Sequence, residues 1–540
     1  MKKLFTNHWP FFSSVLFLCV LLMILFEISR LKNNGYFVYS LDDAYIHMAM
    51  SKNLALHGIW GVTSGGFTSS SSSLLWTLLL GALFYIFGPH VSVPLILNII
   101  FALLAVYSVY YLLKKHGMKN IYVLFVLLGF ILLSPLPPLI FTGLEHVLHI
   151  FISILFIYFL SMRIYYNDRY FLVIILLGML LPLVRYEGIV MVVAGSLLLL
   201  AFGKKRLLPI LLFVFGLLPV FIFGFVSISN GWSFFPNSMV LKGGLPDIMS
   251  FNDVGFFLYY LAEVFYGRSV ILILLLIGVF FFIGFFLYYF KKENIGLIKN
   301  PRFIMLILLL VNVSLYIVFA GSGWSYRYQS FLVALGIFVI SYLVIENKKW
   351  FSVKKTKVKQ YVFGTSVSLL SLYFLYQAVI LIWNTPAAMN NIYEQQFQMA
   401  CLIGNYYEGK TIALNDIGAV NYFNNIKCVD LWGLSNIDVS KEMRRGSYSE
   451  NYIREITRSN DVDIAILYDS WFSEGDSTIL PQEWVKAGEW KILNNVIAGD
   501  DVVSFYAVKP DEENSLILNL KKYSKLLPPD VIQSGKYMNR

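Results

Sequence analysis

The sequence places FFSSVLFLCVLLMILFEI (residues 11–28) shortly before SLDDAYIHMAMSKNL (residues 40–54). The first stretch is an apolar run, and a helix that crosses a bilayer needs about 20 such residues. The second stretch carries two adjacent aspartates, Asp42 and Asp43, in a chain with only 14% charged residues. A membrane span followed closely by scarce acids predicts a membrane protein with polar chemistry at the membrane surface.

The composition extends this prediction to most of the chain. Over 540 residues, 58% are hydrophobic and 17% aromatic, which is more apolar surface than one soluble domain can bury. Residues 1–384 hold 27 basic and 11 acidic residues, whereas residues 385–540 hold 15 and 21. We therefore predict a polytopic membrane domain over 1–384 and an extracytoplasmic domain over 385–540. The net charge of +10 then reflects membrane topology rather than a nucleic-acid partner.

Eleven apolar runs of suitable length predict eleven transmembrane helices. Six of the connecting segments hold 20 of the 27 basic residues, so the positive-inside rule places those segments in the cytoplasm. The amino terminus is then cytoplasmic and the carboxyl-terminal domain extracytoplasmic. The predicted spans are 11–29, 91–113, 120–134, 143–162, 170–184, 188–203, 207–228, 269–290, 302–320, 330–346 and 360–384.

A further apolar segment, SSSSSLLWTLLLGALFYIFG (residues 69–88), is interpreted differently. Counting it as a span would invert every later loop, so we predict an interfacial helix on the outer face. The serine run before it is interpreted as a flexible link.

This topology places seven of the eleven acids of the membrane part at the outer face. Asp42 and Asp43 are either an N-cap for the amphipathic stretch that follows or a functional pair. Two adjacent carboxylates repel each other, which raises one pKa and supplies a base with a hydrogen-bonding neighbour. The seven outer acids are Asp42, Asp43, Glu145, Glu187, Asp247, Asp253 and Glu263.

Four other segments predicted at the outer face carry ionisable residues. TGLEHVL contains Glu145 and His146, and LVRYEGIV contains Arg185 and Glu187. The candidate cations Lys242 and Arg327 lie in FFPNSMVLKGG and GSGWSYRYQSF. Each segment alone is explained by a salt bridge, an aromatic belt or a capped helix end, but their convergence on one face favours a site.

The order of these motifs resembles that of the C-type superfamily of multispanning glycosyltransferases. The similarity is to arabinofuranosyl- and mannosyltransferase-like members that use polyprenyl-phosphate sugars. It rests on LDDAYIHMAMSKNLALHGIWG, TGLEHVL, LVRYEGIV, FFPNSMVLKGG, RYQSFLVALGIF and NDIGAVNYFNNIKCVDLWGLSN. The chain departs from the family in reading RYEG for RPEG and PNS for PNT.

The resemblance implies that an acceptor hydroxyl attacks the anomeric carbon of a lipid-linked sugar and that the lipid phosphate leaves. By position in the motif, Asp42 is predicted as general base, with Asp43 positioning a substrate. Cations would bind the leaving phosphate. The candidates are Arg327 and Lys242, then Arg185 and His146, with Glu145 and Glu187 in supporting roles.

Arg185 has a second reading as a structural partner of Glu187 or Glu145, and His146 a second reading as a helix cap. We predict no cofactor. A divalent cation is conceivable at paired aspartates, but no other acid cluster has ligand spacing. The expected partners are a polyprenyl-phosphate sugar, a glycan or glycolipid acceptor and the membrane lipids, and the expected location is a bacterial inner membrane.

Residues 385–540 alternate predicted helices and strands, which indicates a small α/β domain. Asp416 and Asp430 lie near strand ends, where such domains often bind ligands, although a loop-capping role explains them equally. The sequence leaves open whether Cys401 and Cys428 form a disulfide. The alternative function is a flippase for a lipid-linked saccharide or a Wzy-like polymerase. A transporter would instead place its ionisable residues near the midplane and on both faces.

Overall fold

In a computed structural model the chain is a mostly helical protein with a carboxyl-terminal β-sheet domain. The structure describes residues 2–166, 169–203, 205–242, 300–319, 327–346, 357–474 and 477–538, with 278, 283 and 284. The helices before the sheet are α1 (Lys2–Lys32), α2 (Asp43–His57), α3 (Leu74–Phe87), α4 (Ser92–Lys115), α5 (Asn120–Leu133), α6 (Leu136–Phe141), α7 (His146–Tyr166), α8 (Phe171–Val184), α9 (Gly188–Phe202), α10 (Leu207–Ser229), α11 (Asn237–Lys242), α12 (Pro301–Phe319), α13 (Ser330–Glu346), α14 (Lys357–Ile392) and α15 (Gln398–Tyr406).

Within the described residues, five helices are long and apolar enough to cross a membrane. They lie in α1, α4, α7, α10 and the helix that contains α14 and α15. Shorter apolar helices include α3, α5, α8 and α9, together with parts of α12 and α13. Helices occur at ten of the eleven predicted spans, and the remaining one, 269–290, lies almost wholly outside the described residues. The chain is therefore a multi-pass membrane protein, and the number eleven stays a prediction.

Two sequence interpretations near α2 are wrong. The stretch after the two aspartates is not amphipathic, because all residues of α2 from Ala44 to Ser51 are buried. It packs between α3 and the carboxyl-terminal domain. The serine run is not a flexible link either. Ser69, Ser70, Ser71 and Ser73 are at most 2% exposed, and the Ser73 hydroxyl accepts a hydrogen bond from the Trp76 backbone at the start of α3.

The membrane part continues into the sheet domain through one helix. Helix α14 passes into a π-helix (Tyr393–Phe397) and then into α15 without a break. The predicted boundary at residues 384 and 385 thus falls inside a continuous helix. The π-helix is polar and buried, since Glu394, Gln395 and Gln396 are at most 3% exposed.

The carboxyl-terminal domain contains a mixed six-stranded sheet. Its strands are β1 (Thr411–Leu414), β2 (Lys427–Asp430), β3 (Ile464–Leu467), β6 (Val485–Lys491), β7 (Val502–Ala507) and β8 (Ile532–Ser534). Between β3 and β6 in the chain, β4 (Ser473–Glu474) and β5 (Ser477–Thr478) form a separate two-stranded sheet. Their order is β2-β1-β3-β7-β6-β8, in which β2, β1 and β3 are parallel and the other pairs antiparallel. The helices are α16 (Gly418–Phe423), α17 (Ile437–Arg445), α18 (Glu450–Ser459) and α19 (Glu512–Tyr523).

The parallel strands position the loops that matter for the site. The carboxyl ends of parallel strands lie at one edge of a sheet, which is where α/β domains bind ligands. Here this edge carries Asp416 after β1, Asp430 at the end of β2 and Tyr468 after β3. Cys401 and Cys428 do not form a disulfide, because both are free thiols.

The topology can be tested by cysteine labelling in a chain whose three native cysteines are replaced. Ser64 lies exposed between α2 and α3, and Lys119 lies exposed between α4 and α5. If α3 stays at the interface and α4 crosses, Ser64→Cys should react with an impermeant thiol reagent in intact cells. Lys119→Cys should react only after permeabilisation. Labelling of both from outside would mean that α3 crosses the membrane, and the reverse pattern would invert the predicted orientation.

Candidate functional site

Helix ends bring the predicted site segments together at the face on which the carboxyl-terminal domain docks. Asp43 is the first residue of α2, and Glu145 and His146 lie at the start of α7. Arg185 and Glu187 lie in the short turn between α8 and α9, and Arg327 comes just before α13. Helix ends leave backbone groups unsatisfied and allow the chain to turn, so they are suitable places for polar side chains at membrane depth.

Arg185 is fully engaged with two carboxylates. Its Nη1 donates to Glu145 Oε1 at 2.5 Å and its Nη2 donates to Glu187 Oε1 at 2.7 Å. The side chain of Arg185 is 8% exposed and that of Glu145 only 1%. A charge buried this deeply needs a partner, because desolvation otherwise costs several kcal/mol. These contacts are those of the second reading of Arg185, a structural partner of Glu145 and Glu187.

Tyr328 joins the two arginines. The guanidinium carbons of Arg185 and Arg327 each lie 4.8 Å from the centre of the Tyr328 ring, within the range of a cation–π contact. The ring of His146 meets the same tyrosine edge-on, with 5.6 Å between the ring centres. The sequence analysis missed Tyr328, although its place directly after Arg327 was visible.

Within the described part of the chain, Arg327 is engaged at one nitrogen only. Its Nη2 lies 2.9 Å from Asp43 Oδ2 and also 2.9 Å from the hydroxyl of Tyr328. Its Nε and Nη1 are buried and have no hydrogen-bond partner among the described residues. The same holds for Nε2 of His146 and of His149, one turn further along α7. Buried nitrogens without partners cost about 1–3 kcal/mol each, so a ligand that accepts from them is expected here.

The two adjacent aspartates have different surroundings. The side chain of Asp43 is 29% exposed and pairs with Arg327. Asp42 is 7% exposed, and its two oxygens accept from the backbone nitrogens of Gly418 at 2.6 Å and Ala419 at 2.7 Å. Asp42 stands at the N-cap position of α2 but makes no side-chain cap there. Its carboxylate instead caps α16 of the carboxyl-terminal domain.

Burial and the neighbouring Asp416, which is also its hydrogen-bond partner, raise the pKa of Asp42 well above the usual range of an aspartate. The amides of Gly418 and Ala419 oppose this shift. With both oxygens occupied and the group buried, Asp42 is poorly placed to take a proton from a substrate. The assignment of Asp42 as base stays a prediction that its geometry does not favour.

The remaining residues near the site were only partly foreseen. His47 was not singled out, yet its Nδ1 lies 3.0 Å from the Thr77 hydroxyl and its Nε2 lies 4.0 Å from Glu145 Oε2. The sequence signal that could have identified His47 is its position one helical turn after Asp43 in α2. Lys242 ends α11, but its side chain lies outside the described residues. In the part of the chain that the structure describes, no group of three His, Cys, Asp or Glu could hold a metal ion.

The loop after β2 contacts the membrane part at Ser70 and Asn237. Asp430 accepts from the backbone nitrogens of Trp432, Gly433 and Ser435 at 2.6–3.1 Å, so it has the loop-capping role foreseen as one alternative. Burial nevertheless raises its pKa to about 6. The loop carbonyls then bind the membrane part. Ser70 Oγ donates to Leu434 at 2.9 Å and Asn237 Nδ2 donates to Gly433 at 2.8 Å.

The buried pair of Arg185 and Glu145 should contribute measurably to stability. Glu145→Gln removes one of the two charges that compensate Arg185, and breaking a buried pair from one side costs about 3–5 kcal/mol. We expect a loss near the lower end of that range, since Glu187 remains, measured as thermal unfolding in detergent. Asp438→Asn is the control, because Asp438 is 72% exposed in its ion pair and such pairs contribute about 0–1 kcal/mol. Equal stability of the two variants would contradict the structural role.

Comparisons with known proteins give a weak overall likeness. Residues 390–506 match a family model described as "Domain of unknown function (DUF8728)", and this range spans the π-helix, α16 and most of the sheet. No match was found among curated protein sequences.

Two solved structures are similar over most of the chain. One is the crystal structure of the Archaeoglobus fulgidus oligosaccharyltransferase in complex with zinc and sulfate, at 11% identity and a TM-score of 0.45, covering 95% of this chain and 74% of that one. The other is ArnT from Cupriavidus metallidurans bound to undecaprenyl phosphate, at 11% identity and a TM-score of 0.48, covering 92% and 98%. Similarity at this level transfers no residue roles to the present chain.

Proposed function

We propose that the protein is a membrane glycosyltransferase that moves a sugar from a polyprenyl-phosphate donor to a hydroxyl of a glycan or glycolipid. The observation that carries this proposal is the half-engaged Arg327. Its buried Nε and Nη1, together with Nε2 of His146, have no acceptor among the described residues. A phosphate oxygen accepts well from a guanidinium fork, and a lipid phosphate reaches this depth from the membrane.

The charges of the residues around Arg185 and Arg327 indicate that binding a phosphate needs a further cation. The described ion pairs set the two arginines, Arg185 and Arg327, against the three acids Asp43, Glu145 and Glu187. An anionic phosphate added to this set would be repelled unless another positive group joined it. Lys242 is our proposal for that group, because α11 lies beside the loops that border the site.

Asp43 is our proposed general base in place of Asp42. It is the more exposed of the two, and Arg327 orients its carboxylate. In the proposed step, Asp43 takes the proton of the acceptor hydroxyl while that oxygen bonds to the anomeric carbon. The bond from this carbon to the phosphate oxygen breaks, and the phosphate leaves with the electron pair near Arg327. The proposed step uses no metal ion or other cofactor.

The finer assignments follow the resemblance of the motifs. The proposal places the site at the extracytoplasmic face, with the amino terminus in the cytoplasm, because the basic loops lie on the other side. Donors of the arabinofuranosyl or mannosyl kind are the first to test. Transfer from one of a panel of polyprenyl-phosphate sugars by the purified protein would identify the donor.

Asp43→Asn should lower the turnover number by about 10²- to 10⁴-fold, the usual loss when a general base is removed. Donor affinity should not weaken, because the substitution frees Arg327 from its carboxylate partner. The measurement is initial rates over donor concentration, with Kd for the polyprenyl phosphate determined separately. Turnover within a few-fold of the wild type would remove Asp43 from the role of base.

Arg327→Ala should weaken donor binding by about 10- to 100-fold, since a charge-assisted hydrogen bond contributes about 1.5–3 kcal/mol. Arg327→Lys should restore only part of this, because lysine lacks the planar fork. Arg454→Ala, which removes an exposed arginine of α18, is the control. Unchanged donor affinity in Arg327→Ala would contradict the phosphate site. Lipid-linked sugar that crosses the membrane without transfer would instead favour a flippase.

A further inference from the structure

Helix α2 holds α16 of the carboxyl-terminal domain at both ends. At the amino end, Asp42 accepts from the nitrogens of Gly418 and Ala419. At the carboxyl end, Lys52 Nζ donates to the carbonyl oxygens of Tyr422 at 2.6 Å and Asn421 at 3.0 Å. A negative group at the first amides of a helix and a positive group at its last carbonyls both match the helix dipole. The two contacts are ten residues apart on α2, about 15 Å along its axis.

The contact at Asp42 leaves no spare room. A Cβ added at Gly418 would lie 2.3 Å from both the carbonyl oxygen and Oδ2 of Asp42. No side chain fits at such a distance without moving one of the two segments. The close approach of the backbones therefore requires glycine at this position.

Asp416 is a second neighbour of Asp42, close enough to raise the pKa of Asp42 together with burial. Asp416 Oδ2 also accepts from Gln396 Nε2 at 2.9 Å and lies 3.1 Å from the Tyr468 hydroxyl. Gln396 belongs to the π-helix, an element that often occurs at functional positions. The position of Asp42 is thus determined by the continuous helix as well as by α16.

This arrangement has a direct consequence for Asp43. The carbonyl of Asp42 accepts from the nitrogens of Tyr45 at 2.9 Å and Ile46 at 3.4 Å, so Asp42 defines the first turn of α2. Asp43 follows in the chain and meets Arg327 at 2.9 Å. A displacement of about 1 Å at a reacting group can cost about 10²-fold in rate.

We propose that α16 and Asp416 are a positioning element for the catalytic carboxylate of Asp43, acting through Asp42. The inference rests on the proposed function in taking Asp43 as the base. Asp42 and Asp416 are positioning residues and do not touch the substrate. The carboxyl-terminal domain is then required for turnover even where it binds neither donor nor acceptor.

The first test compares Gly418→Ala with Lys52→Met in the full-length protein. Gly418→Ala displaces Asp42, so kcat should fall by about tenfold or more, while KM for the donor changes less than threefold. Lys52→Met releases the far end of the same helix and should leave kcat within twofold of the wild type. Equal effects of the two variants on kcat per folded molecule would show that α16 has a structural role only.

The second test removes the charge of Asp416 and keeps its shape. Asp416→Asn retains an oxygen that can accept from Gln396 Nε2 and the Tyr468 hydroxyl, so it should keep kcat within threefold of the wild type. Asp416→Ala leaves the Asp42 carboxyl and Gln396 without this partner and should lower kcat by about tenfold. Failure of Asp416→Asn to retain activity while it remains folded would overturn the role of the pair.

A third measurement does not depend on sugar transfer. Hydrogen–deuterium exchange at the first turn of α2, residues 43–47, should be faster in Gly418→Ala than in the wild type and unchanged in Lys52→Met. If the wild type transfers no sugar, the proposed function fails, yet this comparison still reports on the positioning element. Unchanged exchange in Gly418→Ala would overturn the inference, whatever the activity.

Discussion

The carboxylate of Asp42 joins the two parts of this protein. Each carboxylate oxygen accepts from a backbone amide of α16. The backbone carbonyl of Asp42 accepts the first hydrogen bonds of α2 in the membrane part. The first amides of a helix have no partner inside that helix, so a buried carboxylate and a buried helix end satisfy each other. The same pattern recurs at the loop after β2, whose carbonyls accept from Ser70 and Asn237. Side chains of the membrane part thus bind the backbone of the sheet domain.

The buried ion pairs divide the charges of the site into two kinds. Arg185 gives its two terminal nitrogens to Glu145 and Glu187, and its charge is thereby compensated within the protein. Arg327 gives one nitrogen to Asp43 and keeps buried hydrogen-bonding capacity. An arginine that is only partly paired inside a low-dielectric region is suited to an anion that comes and goes. Tyr328 lies beside both guanidinium groups and links the two halves of the cluster.

Periodicity and apolar length predicted most helices and strands, since these depend on local sequence. Helices occur where ten spans were expected, and β1, α16, β2, α18, β3 and β7 occur where the tail alternates. The burial of α2 and of the serine run was missed, because it depends on packing among α2, α3 and a domain more than 300 residues away in the chain. The sequence left open whether Asp42 and Asp43 are a helix cap or a functional pair, and their adjacency could not tell which one faces Arg327. Motif order brought Glu145, Arg185 and Arg327 to notice, whereas their pairing is a tertiary property.

The unbroken passage from α14 through the π-helix into α15 has a consequence for how the chain can vary. In a helix each added residue turns everything beyond it by about 100° and advances it by about 1.5 Å. An insertion or deletion near residue 390 would therefore rotate α16 away from Asp42 and the loop after β2 away from Asn237 at the same time. A π-helix is one way in which a helix accommodates a single extra residue. The segment Tyr393–Phe397 thus acts as a spacer of fixed length, and Gln396 adds a side-chain contact to Asp416 at a fixed point along it.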